Sequence, residues 1–349
     1  MTDSPPRTAP RGSRQPVMAD VARLAGVSHQ TVSRVVNGLD NIRPDTRARV
    51  ELAIKQLGYR RNVAARALVT RRSATIGVVG TESGLWGPTS IHRTIEDAAR
   101  AAGLFVSSVN LQSVTREEFS AAVNHLLAHA VEGIIAIAAH DEALDVVRSQ
   151  DIGVPLVVVE GDLTEARWTV GVDQIAGARL ATAHLLALGH TEIMHVTGPM
   201  NWSEARARHE GWRREMYAAG LRPREPLSGD WTSESGHCAG LEILGMPEIT
   251  AVFTANDQMA IGVLRALHEG GRPVPGAVSV VGFDDIPEAA YLIPPLTTVR
   301  QDFPAVGRRA IEVLTNAMTS AGDDRPELVE PELVVRASST SPASWTARP

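Results

Sequence analysis

A short stretch near the start of the chain, residues 27–38 (VSHQTVSRVVNG), carries two kinds of side chain at helical spacing. Its valines would face inward on a helix, and the opposite side would then present hydrogen-bonding groups that match the edges of bases. Because Gln can pair bidentately with adenine and Arg with guanine, we expect Gln30 and Arg34 to read bases, with His29 beside them. The other polar residues of the stretch would contact phosphates: Ser28, Thr31, Ser33 and Asn37.

A second set of polar residues follows apolar runs much later in the chain. Asn256 comes directly after TAVFTA, Asp284 directly after VSVVGF, and Arg208 lies in a predicted helix. Such groups form planar hydrogen bonds with vicinal hydroxyls, and Trp231 or Phe303 would offer a flat face to the C–H side of a sugar ring. Taken alone, Asp257, which follows Asn256, could be a helix cap, Arg208 a surface ion pair and Trp231 a core aromatic.

The base-reading stretch requires helices that position it. Residues 18–38 indicate a helix, a short turn that contains Gly26, and a second helix. Residues 44–59 indicate a third amphipathic helix that begins at Pro44. A helix-turn-helix head that inserts its second helix into the major groove is therefore predicted over residues 17–60. The alternative is a helical pair that binds a protein.

An arginine-rich segment, residues 61–73, follows the head. One short helix from Asn62 to Leu68 is predicted there, and it would be stable only when held against DNA or a twin helix. Leu68 could then wedge into a minor-groove step and kink the duplex. The alternative is a plain basic linker.

From Ala74 to about residue 338 the chain alternates β-branched apolar runs with helical stretches. Nearly continuous apolar strands separated by helices indicate buried parallel sheets. The length exceeds one usual domain, so we expect an α/β body of two doubly wound lobes with a ligand cleft beyond the strand ends. The strand candidates are residues 75–80, 104–109, 133–137, 155–159, 193–198, 250–255 and 278–285.

Charge is divided unevenly along the chain. Residues through Thr75 carry 14 Lys and Arg against 5 Asp and Glu, whereas the rest carry 20 against 35, within a net charge of -6. A basic segment beside an acidic body is typical of a nucleic-acid-binding head on a carrier domain. A solvated charge run is the common alternative, but here the positive charge coincides with the helix-turn-helix pattern.

Other classes of protein find little support in the sequence. Residues 1–16 lack an apolar core, which predicts a disordered lead-in and not a signal peptide, and no apolar run reaches the length of a membrane span. The single cysteine, Cys238, fits a reducing, cytoplasmic compartment. Nucleophile-elbow, P-loop and dinucleotide motifs are missing, and the placement of His184, His190 and His195 disfavours a shared metal. We therefore expect no enzymatic activity, cofactor or metal.

The motifs together resemble the LacI (lactose repressor) family of bacterial transcriptional regulators, from Val17 to about Arg336. The resemblance rests on DVARLAGVSHQTVSRVVNG in the head and, in the body, on HLLALGH, GDW, ANDQMAIG, SVVGFDD and IPPLTTVRQDF. These body motifs are similar to the lactose-repressor branch of the family. The resemblance implies an α/β protein with a three-helix head, a hinge helix and a two-lobed, periplasmic-binding-protein-like body of two doubly wound parallel sheets. The implied lobe ranges are about 74–171 with 301–328, and about 172–300 with 329–338.

The resemblance also implies DNA-contacting residues by position. The operator-reading positions would be His29, Gln30 and Arg34. The hinge-helix positions would be Asn62, Ala65 and Leu68, with Leu68 prying open the central minor-groove step.

An effector pocket between the lobes is implied in the same way. Its residues would be Leu85, Gly87, Pro88, Ile91, Glu160, Glu204, Arg208, Trp231, Asn256, Asp284, Gln301 and Phe303. Three matching positions depart from the lactose-repressor pattern: Glu160 replaces an Asp, Val172 a Phe and Glu204 a Ser. The loss of an aromatic wall and the addition of a carboxylate change the shape and the polarity of the pocket.

These observations predict a sugar-responsive regulator, a repressor that a β-galactoside or related disaccharide releases from double-stranded operator DNA. The tail, residues 339–349, is rich in Ser and Pro and has no leucine heptads, so we expect a homodimer with one head on each half-site. The alternatives are a solute-binding receptor of the periplasmic type, a sugar-acting or nucleotide-acting enzyme on the same α/β framework, a regulator that responds to a purine or pentose, and an activator.

Overall fold

The structure, a computed structural model, describes most of the chain. The described residues are 16–36, 38, 41–59, 72–81, 84–111, 115–138, 141–148, 152–159, 168–319 and 327–342. The predicted lead-in, the hinge segment up to residue 71 and the end of the tail lie outside them, apart from residue 16 of the lead-in. The chain divides into two compact units, Met1–Ser73 and Ala74–Pro349, which are called the head and the body below.

The head contains three helices: α1 Met18–Ala25, α2 His29–Val36 and α3 Pro44–Leu57. Helix α1 ends at Gly26, whose φ of 65° is left-handed and suits a residue without a Cβ. Pro44 occupies the first turn of α3, where a helix makes no use of the backbone N–H. The core of the head takes one fully buried valine from each helix: Val21, Val32 and Val50.

The body alternates strands and helices. In chain order its elements are β1 Thr75–Thr81, α4 Trp86–Ala101, β2 Phe105–Leu111, α5 Arg116–Ala128, β3 Ile134–Ile137, α6 Asp141–Arg148, β4 Leu156–Val159, β5 Thr169–Val172, α7 Gln174–Ala187, β6 Ile193–Thr197, α8 Ser203–Ala218, β7 Leu227–Ser228, α9 Ser233–Leu244, β8 Ala251–Thr254, α10 Asp257–Glu269, β9 Ser279–Asp284, a 3-10 turn Pro287–Tyr291, β10 Thr297–Arg300, α11 Phe303–Met318, β11 Glu327–Val329 and β12 Glu332–Val334.

These strands form two sheets, one in each lobe. The first sheet has the order β11-β5-β4-β3-β1-β2, and all of its pairs are parallel. The second has the order β12-β10-β9-β8-β6-β7, and it is parallel except for β12, which pairs antiparallel with β10. Helices cover both faces of each sheet, so the strands are buried on both sides, and this accounts for their continuous apolar sequences. The doubly wound α/β prediction is confirmed, with one antiparallel edge strand that it did not foresee.

The chain passes between the lobes three times. It leaves the first sheet after β5 and enters α7, which packs against the second sheet. It returns after β10 into α11, which packs against the first sheet, and passes back between β11 and β12. These three passages are called the crossovers. Among the described residues, no helix is both long and apolar enough to cross a membrane.

Candidate functional site

The exposed face of α2 presents the residues that were predicted to read bases. His29, Gln30 and Arg34 are exposed, whereas Val32 and Val35 of the same helix are buried in the head. The two faces of α2 therefore differ. The valines pack in the core of the head, and the polar side chains point outward. The burial of every third or fourth residue is the pattern that periodicity predicted.

The residues predicted to contact phosphates occupy the start and side of the same helix. The Ser28 hydroxyl accepts a hydrogen bond from the backbone N–H of Thr31 at 3.1 Å, so it caps the first turn of α2. Thr31 and Ser33 are half-buried. The remaining predicted DNA contacts lie outside the described residues: Asn37, Asn62, Ala65 and Leu68.

The body contains an open cavity of about 410 Å³ between its two lobes. One wall is the start of α4 in the first lobe, and the other is formed by the carboxyl ends of strands and the start of α8 in the second. That location is where open α/β sheets bind ligands. The lining residues are Leu85, Trp86, Gly87, Pro88, Trp202, Glu204, Arg208, Trp231, Asn256, Asp284 and Gln301.

Nine of the twelve predicted effector residues line this cavity: Leu85, Gly87, Pro88, Glu204, Arg208, Trp231, Asn256, Asp284 and Gln301. Ile91 and Phe303, which were also predicted there, do not line the cavity. Both pack in the core of the first lobe, because they lie on the inward faces of α4 and α11. Glu160 lies outside the described residues.

Two lining residues were not predicted, Trp86 and Trp202. The available signal was the low aromatic content of the chain, 4%, together with the position of each Trp next to or near a predicted pocket residue. The Trp202 ring meets the Trp231 ring edge to face, with 5.6 Å between centroids. Three indoles therefore border one cavity, one from the first lobe and two from the second.

Arg208 is fixed in place by the second lobe. It is 5% exposed, so it is not the surface ion pair that its type alone suggested. Its Nε donates to Gln174 Oε1 at 2.8 Å, and its Nη1 donates to the Ala255 carbonyl and lies 3.6 Å from Asp284 Oδ1. The guanidinium carbon lies 3.9 Å from the centroid of the Phe283 ring, a cation–π contact. The charge is thus oriented before any ligand arrives.

Asp284 ends β9 in a left-handed backbone conformation, with φ of 110°. Its Oδ1 accepts a hydrogen bond from Gln301 Nε2 at 2.6 Å. The next residue, Asp285, also has a positive φ, of 52°, and its carboxylate bonds Arg300 Nε at 2.7 Å and Arg336 Nη2 at 2.6 Å. Two arginines therefore hold the turn that aims Asp284 at the cavity, in a conformation that costs a non-glycine residue energy.

Asp257 also stabilises this turn, through two hydrogen bonds. It is fully buried, and its carboxylate accepts hydrogen bonds from the Ile286 backbone N–H at 2.9 Å and the Thr298 hydroxyl at 2.6 Å. Burial, and then the nearby charge of Asp284, raise the pKa of the Asp257 carboxyl well above its usual range. Asp257 is not the helix cap that its position suggested, because Asn256 caps α10 by accepting from the Met259 N–H.

The second wall also depends on a close approach of Trp231 to Gly198. A Cβ added at Gly198 would lie 2.2 Å from an atom of the Trp231 ring, so only a residue without a side chain fits there. The backbone of Trp231 is left-handed, with φ of 74°, and its carbonyl accepts from Asn256 Nδ2 at 3.0 Å. The indole N–H groups of Trp86 and Trp231 are buried, and within the described part of the chain neither has a hydrogen-bond partner.

Histidines of the second lobe do not gather around a metal. His195 is fully buried, its Nδ1–H donates to the Phe253 carbonyl at 2.9 Å, and burial lowers its pKa to about 3. His184 and His190 bond side chains and backbone near the end of the chain, such as Ser339 and Thr340. The described ranges contain no group of three or more His, Cys, Asp or Glu residues that could hold a metal ion.

Comparison with known proteins identifies both parts of the chain. Residues 17–62 match the model of bacterial regulatory proteins of the lacI family, and residues 182–339 match a periplasmic binding protein-like domain. The chain is 35% identical to the lactose operon repressor of Escherichia coli K12, over 95% of this chain and 92% of that protein. It is 36% identical to the transcriptional regulator CelR of Thermobifida fusca, over 93% of this chain and 98% of that protein.

Solved structures agree. A lac repressor dimer bound to operator and the anti-inducer ONPF matches with a TM-score of 0.82 at 33% identity, covering 94% of this chain and 100% of that one. A complex of the transcriptional regulator CelR with cellobiose matches with a TM-score of 0.69 at 32% identity, covering 93% and 99%. The sequence, the helix-turn-helix head and the two-lobed body therefore agree that the chain belongs to the LacI family, as a DNA-binding transcriptional repressor and not an enzyme.

Proposed function

We propose that the protein binds operator DNA as a homodimer and is released from it by a sugar held between the two lobes of the body. The favoured effector is a β-galactoside or a related disaccharide. In this proposal α2 reads the major groove through His29, Gln30 and Arg34, and each head occupies one half of a pseudo-palindromic site. A solved structure similar to this chain is a lac repressor dimer bound to operator, which supports the assignment.

The observation that carries the sugar assignment is the composition of the cavity wall. Indole rings pack against the C–H faces of sugar rings, and carboxylates, amides and guanidinium groups bond the hydroxyls. The cavity supplies both kinds of group, with three indoles from two lobes and the side chains of Glu204, Arg208, Asn256, Asp284 and Gln301. This mixed wall fits a polyhydroxylated ligand with apolar ring faces.

The size of the aromatic wall bears on which sugar is bound. Three indoles offer more apolar area than one five-carbon ring can cover, which favours a two-ring sugar over a pentose. Two carboxylates line the cavity, Glu204 and Asp284, and a disaccharide carries more hydroxyl donors that could reach them than a purine does. Among the similar proteins are the transcriptional repressor PurR and the ribose operon repressor as well as the lactose operon repressor, so a purine and ribose are the ligands to compare with a disaccharide.

Release would follow from a difference in the affinity of the sugar for two arrangements of the lobes. A ligand shifts such an equilibrium only by as much as it prefers one arrangement, typically about 1 to 3 kcal/mol. The cavity takes walls from both lobes, so its shape depends on the angle between them. A sugar that fits one angle better would weaken the simultaneous grip of two heads on one operator.

Thermal unfolding with a panel of ligands tests this proposal: lactose, allolactose, galactose, cellobiose, maltose, ribose and a purine. A ligand at 100 times its dissociation constant adds about 2.7 kcal/mol to the free energy of unfolding of the body. We expect a rise in Tm with at least one disaccharide and none with the purine. A rise with the purine or ribose alone would reject the disaccharide.

Two variants localise the binding. Trp202→Phe changes the cavity wall just before α8, whereas Trp212→Phe changes a buried indole within α8 that does not line the cavity. The rise in Tm should shrink in the first variant and persist in the second, each compared with its own ligand-free Tm. Operator affinity is then measured at fixed salt with and without the active sugar, because the affinity depends on salt. Equal affinities would show that the sugar binds without releasing DNA.

A further inference from the structure

Two of the three crossovers carry the same pair of residue types in opposite order. The first contains Asp173 and Gln174, and the second contains Gln301 and Asp302. Both aspartates cap the helix that follows: Asp173 Oδ1 accepts from the Ala176 N–H at 2.8 Å, and Asp302 Oδ1 from the Ala305 N–H at 2.9 Å. The caps fix where α7 and α11 begin, and they place both glutamines between the lobes.

The two glutamines bond each other across the crossovers. Gln174 Nε2 donates to Gln301 Oε1 at 2.9 Å, and the two residues are 6% and 5% exposed. A buried amide pair of this kind holds its geometry, because breaking it leaves polar groups without water or a partner. The distance between the first two crossovers is therefore set by a side-chain hydrogen bond.

The same pair closes a ring with two residues of the cavity. Arg208 Nε donates to Gln174 Oε1 at 2.8 Å, Gln301 Nε2 donates to Asp284 Oδ1 at 2.6 Å, and Arg208 Nη1 lies 3.6 Å from that oxygen. Arg208, Asp284 and Gln301 line the cavity, and Gln174 does not. Gln174 is thus the member of the ring that holds ligand-facing groups without facing the ligand.

We propose that Gln174 is a positioning residue that couples occupancy of the cavity to the arrangement of the lobes. Any change in the angle between the lobes must rotate the backbone at the crossovers, since these are the covalent links between them. Such a rotation moves Gln174 relative to Gln301 and, through Gln174 Oε1, moves the Arg208 guanidinium. A molecule that is hydrogen-bonded to Arg208 or Asp284 contacts the same hydrogen-bonded ring from the cavity.

The coupling part of this inference rests on the proposed sugar effector. Gln174→Met removes both hydrogen bonds at similar volume, and Gln174→Glu keeps an acceptor for Arg208 while losing the donor to Gln301. Gln258→Met is the matched control, because Gln258 also bonds a cavity residue, accepting from Asn256 Nδ2 at 3.0 Å, but lies on α10 away from the crossovers.

The experiment measures two quantities for each variant, with lactose and cellobiose as the probes. One is the sugar dissociation constant without DNA, from tryptophan fluorescence, and the other is the ratio of operator affinities without and with saturating sugar. In Gln174→Glu we expect the dissociation constant to change less than threefold and the ratio to fall at least fivefold. Gln174→Met should lower the ratio as much and also weaken sugar binding, and Gln258→Met should keep the wild-type ratio. An unchanged ratio in Gln174→Glu would overturn the proposal.

A readout without sugar keeps this inference separate from the proposed function. Amide hydrogen exchange of the ligand-free protein should speed up in Gln174→Met at both crossovers, around residues 173–176 and 301–305. Faster exchange at the first crossover alone would mean that Gln174 has only a local structural role, whatever the sugar results. If no disaccharide of the thermal-unfolding panel binds the wild type, the effector proposal fails while the exchange result still decides whether Gln174 links the crossovers.

Discussion

The head and the cavity of the body present their functional side chains in opposite ways. On α2, His29, Gln30 and Arg34 are exposed, and the valines on the other face hold the helix in place. In the cavity, Arg208 and Asp284 are buried and bonded to protein groups on several sides. The residues proposed for recognition are therefore separate from the core residues in the head, whereas in the cavity they also belong to the buried hydrogen-bond network.

Because of this difference, we expect substitutions in the two regions to have different effects on binding and on stability. In the head, a change to a recognition residue should alter binding with little effect on stability. In the cavity, a change to a binding residue should alter both. The six tryptophans all follow Ala74, so tryptophan fluorescence reports the unfolding of the body, and the head needs circular dichroism.

The largest expected effect is in the cavity. Arg208→Ala should lower the free energy of unfolding of the body by about 3 to 5 kcal/mol, because it leaves Asp284 and other buried acceptors without their charged partner. The measurement is urea unfolding followed by tryptophan fluorescence. The control is Arg179→Ala, which removes an exposed ion pair to Glu215 and should cost about 1 kcal/mol or less. An equal loss in the free energy of unfolding for the two variants would contradict the expected difference between the cavity and the surface.

The next effect is on the head. Arg34→Ala should weaken operator binding by about 1 to 3 kcal/mol at one base position, because a bidentate contact to a base is lost there. The stability of the head should change by no more than about 0.5 kcal/mol, since Arg34 is exposed. Affinities for a set of single-base operator variants distinguish the outcomes. Uniform weakening across the set would mean that Arg34 contacts phosphate instead of a base.

A smaller effect should appear in mild acid, in the body. Because burial holds the pKa of His195 at about 3 in the folded state, below its ordinary value of 6.5, the unfolded state takes up the proton first as the pH falls. The stability that depends on neutral His195 is therefore present above pH 6.5 and is lost between pH 6.5 and 3, by about 2 kcal/mol at pH 5.

The measurement is the free energy of unfolding from tryptophan fluorescence at pH 7 and pH 5. His195→Asn, which can still donate to the Phe253 carbonyl, should lose about that much of the difference between the two values. His29→Asn, on the exposed face of α2, should retain the whole difference. A pH dependence unchanged in His195→Asn would place the acid sensitivity in other histidines of the body.

Much of the fold could be predicted because the strands are buried on both sides. Each of the seven apolar runs proposed as strands overlaps an observed strand, from Thr75–Thr81 to Ser279–Asp284. Thr297–Arg300 was missed because its threonines look like surface residues. They are fully buried, and their hydroxyls bond Ser339 and Asp257, which are distant in the chain. Polar residues satisfied by distant partners leave no local signal.

The cavity was predictable to the extent that its residues follow strands. Arg208, Asn256 and Asp284 could be chosen from position and chemistry, and the family resemblance added the residues of the first lobe. Gln174 could not be chosen, because its role depends on Gln301, and 127 residues separate the two. Ile91 and Phe303 pack in the core of the first lobe, which a matching position could not predict because it does not say which face of a helix meets the cavity.

The three crossovers also set how this chain can be recombined. A new DNA-reading head can be joined to the body at a single junction near Ser73, since the chain divides there once. Exchange of either lobe of the body requires three junctions, and two of them pass through the bonded glutamines. A change of operator is therefore one splice, whereas a change of effector is reached more directly by point substitutions in the cavity wall.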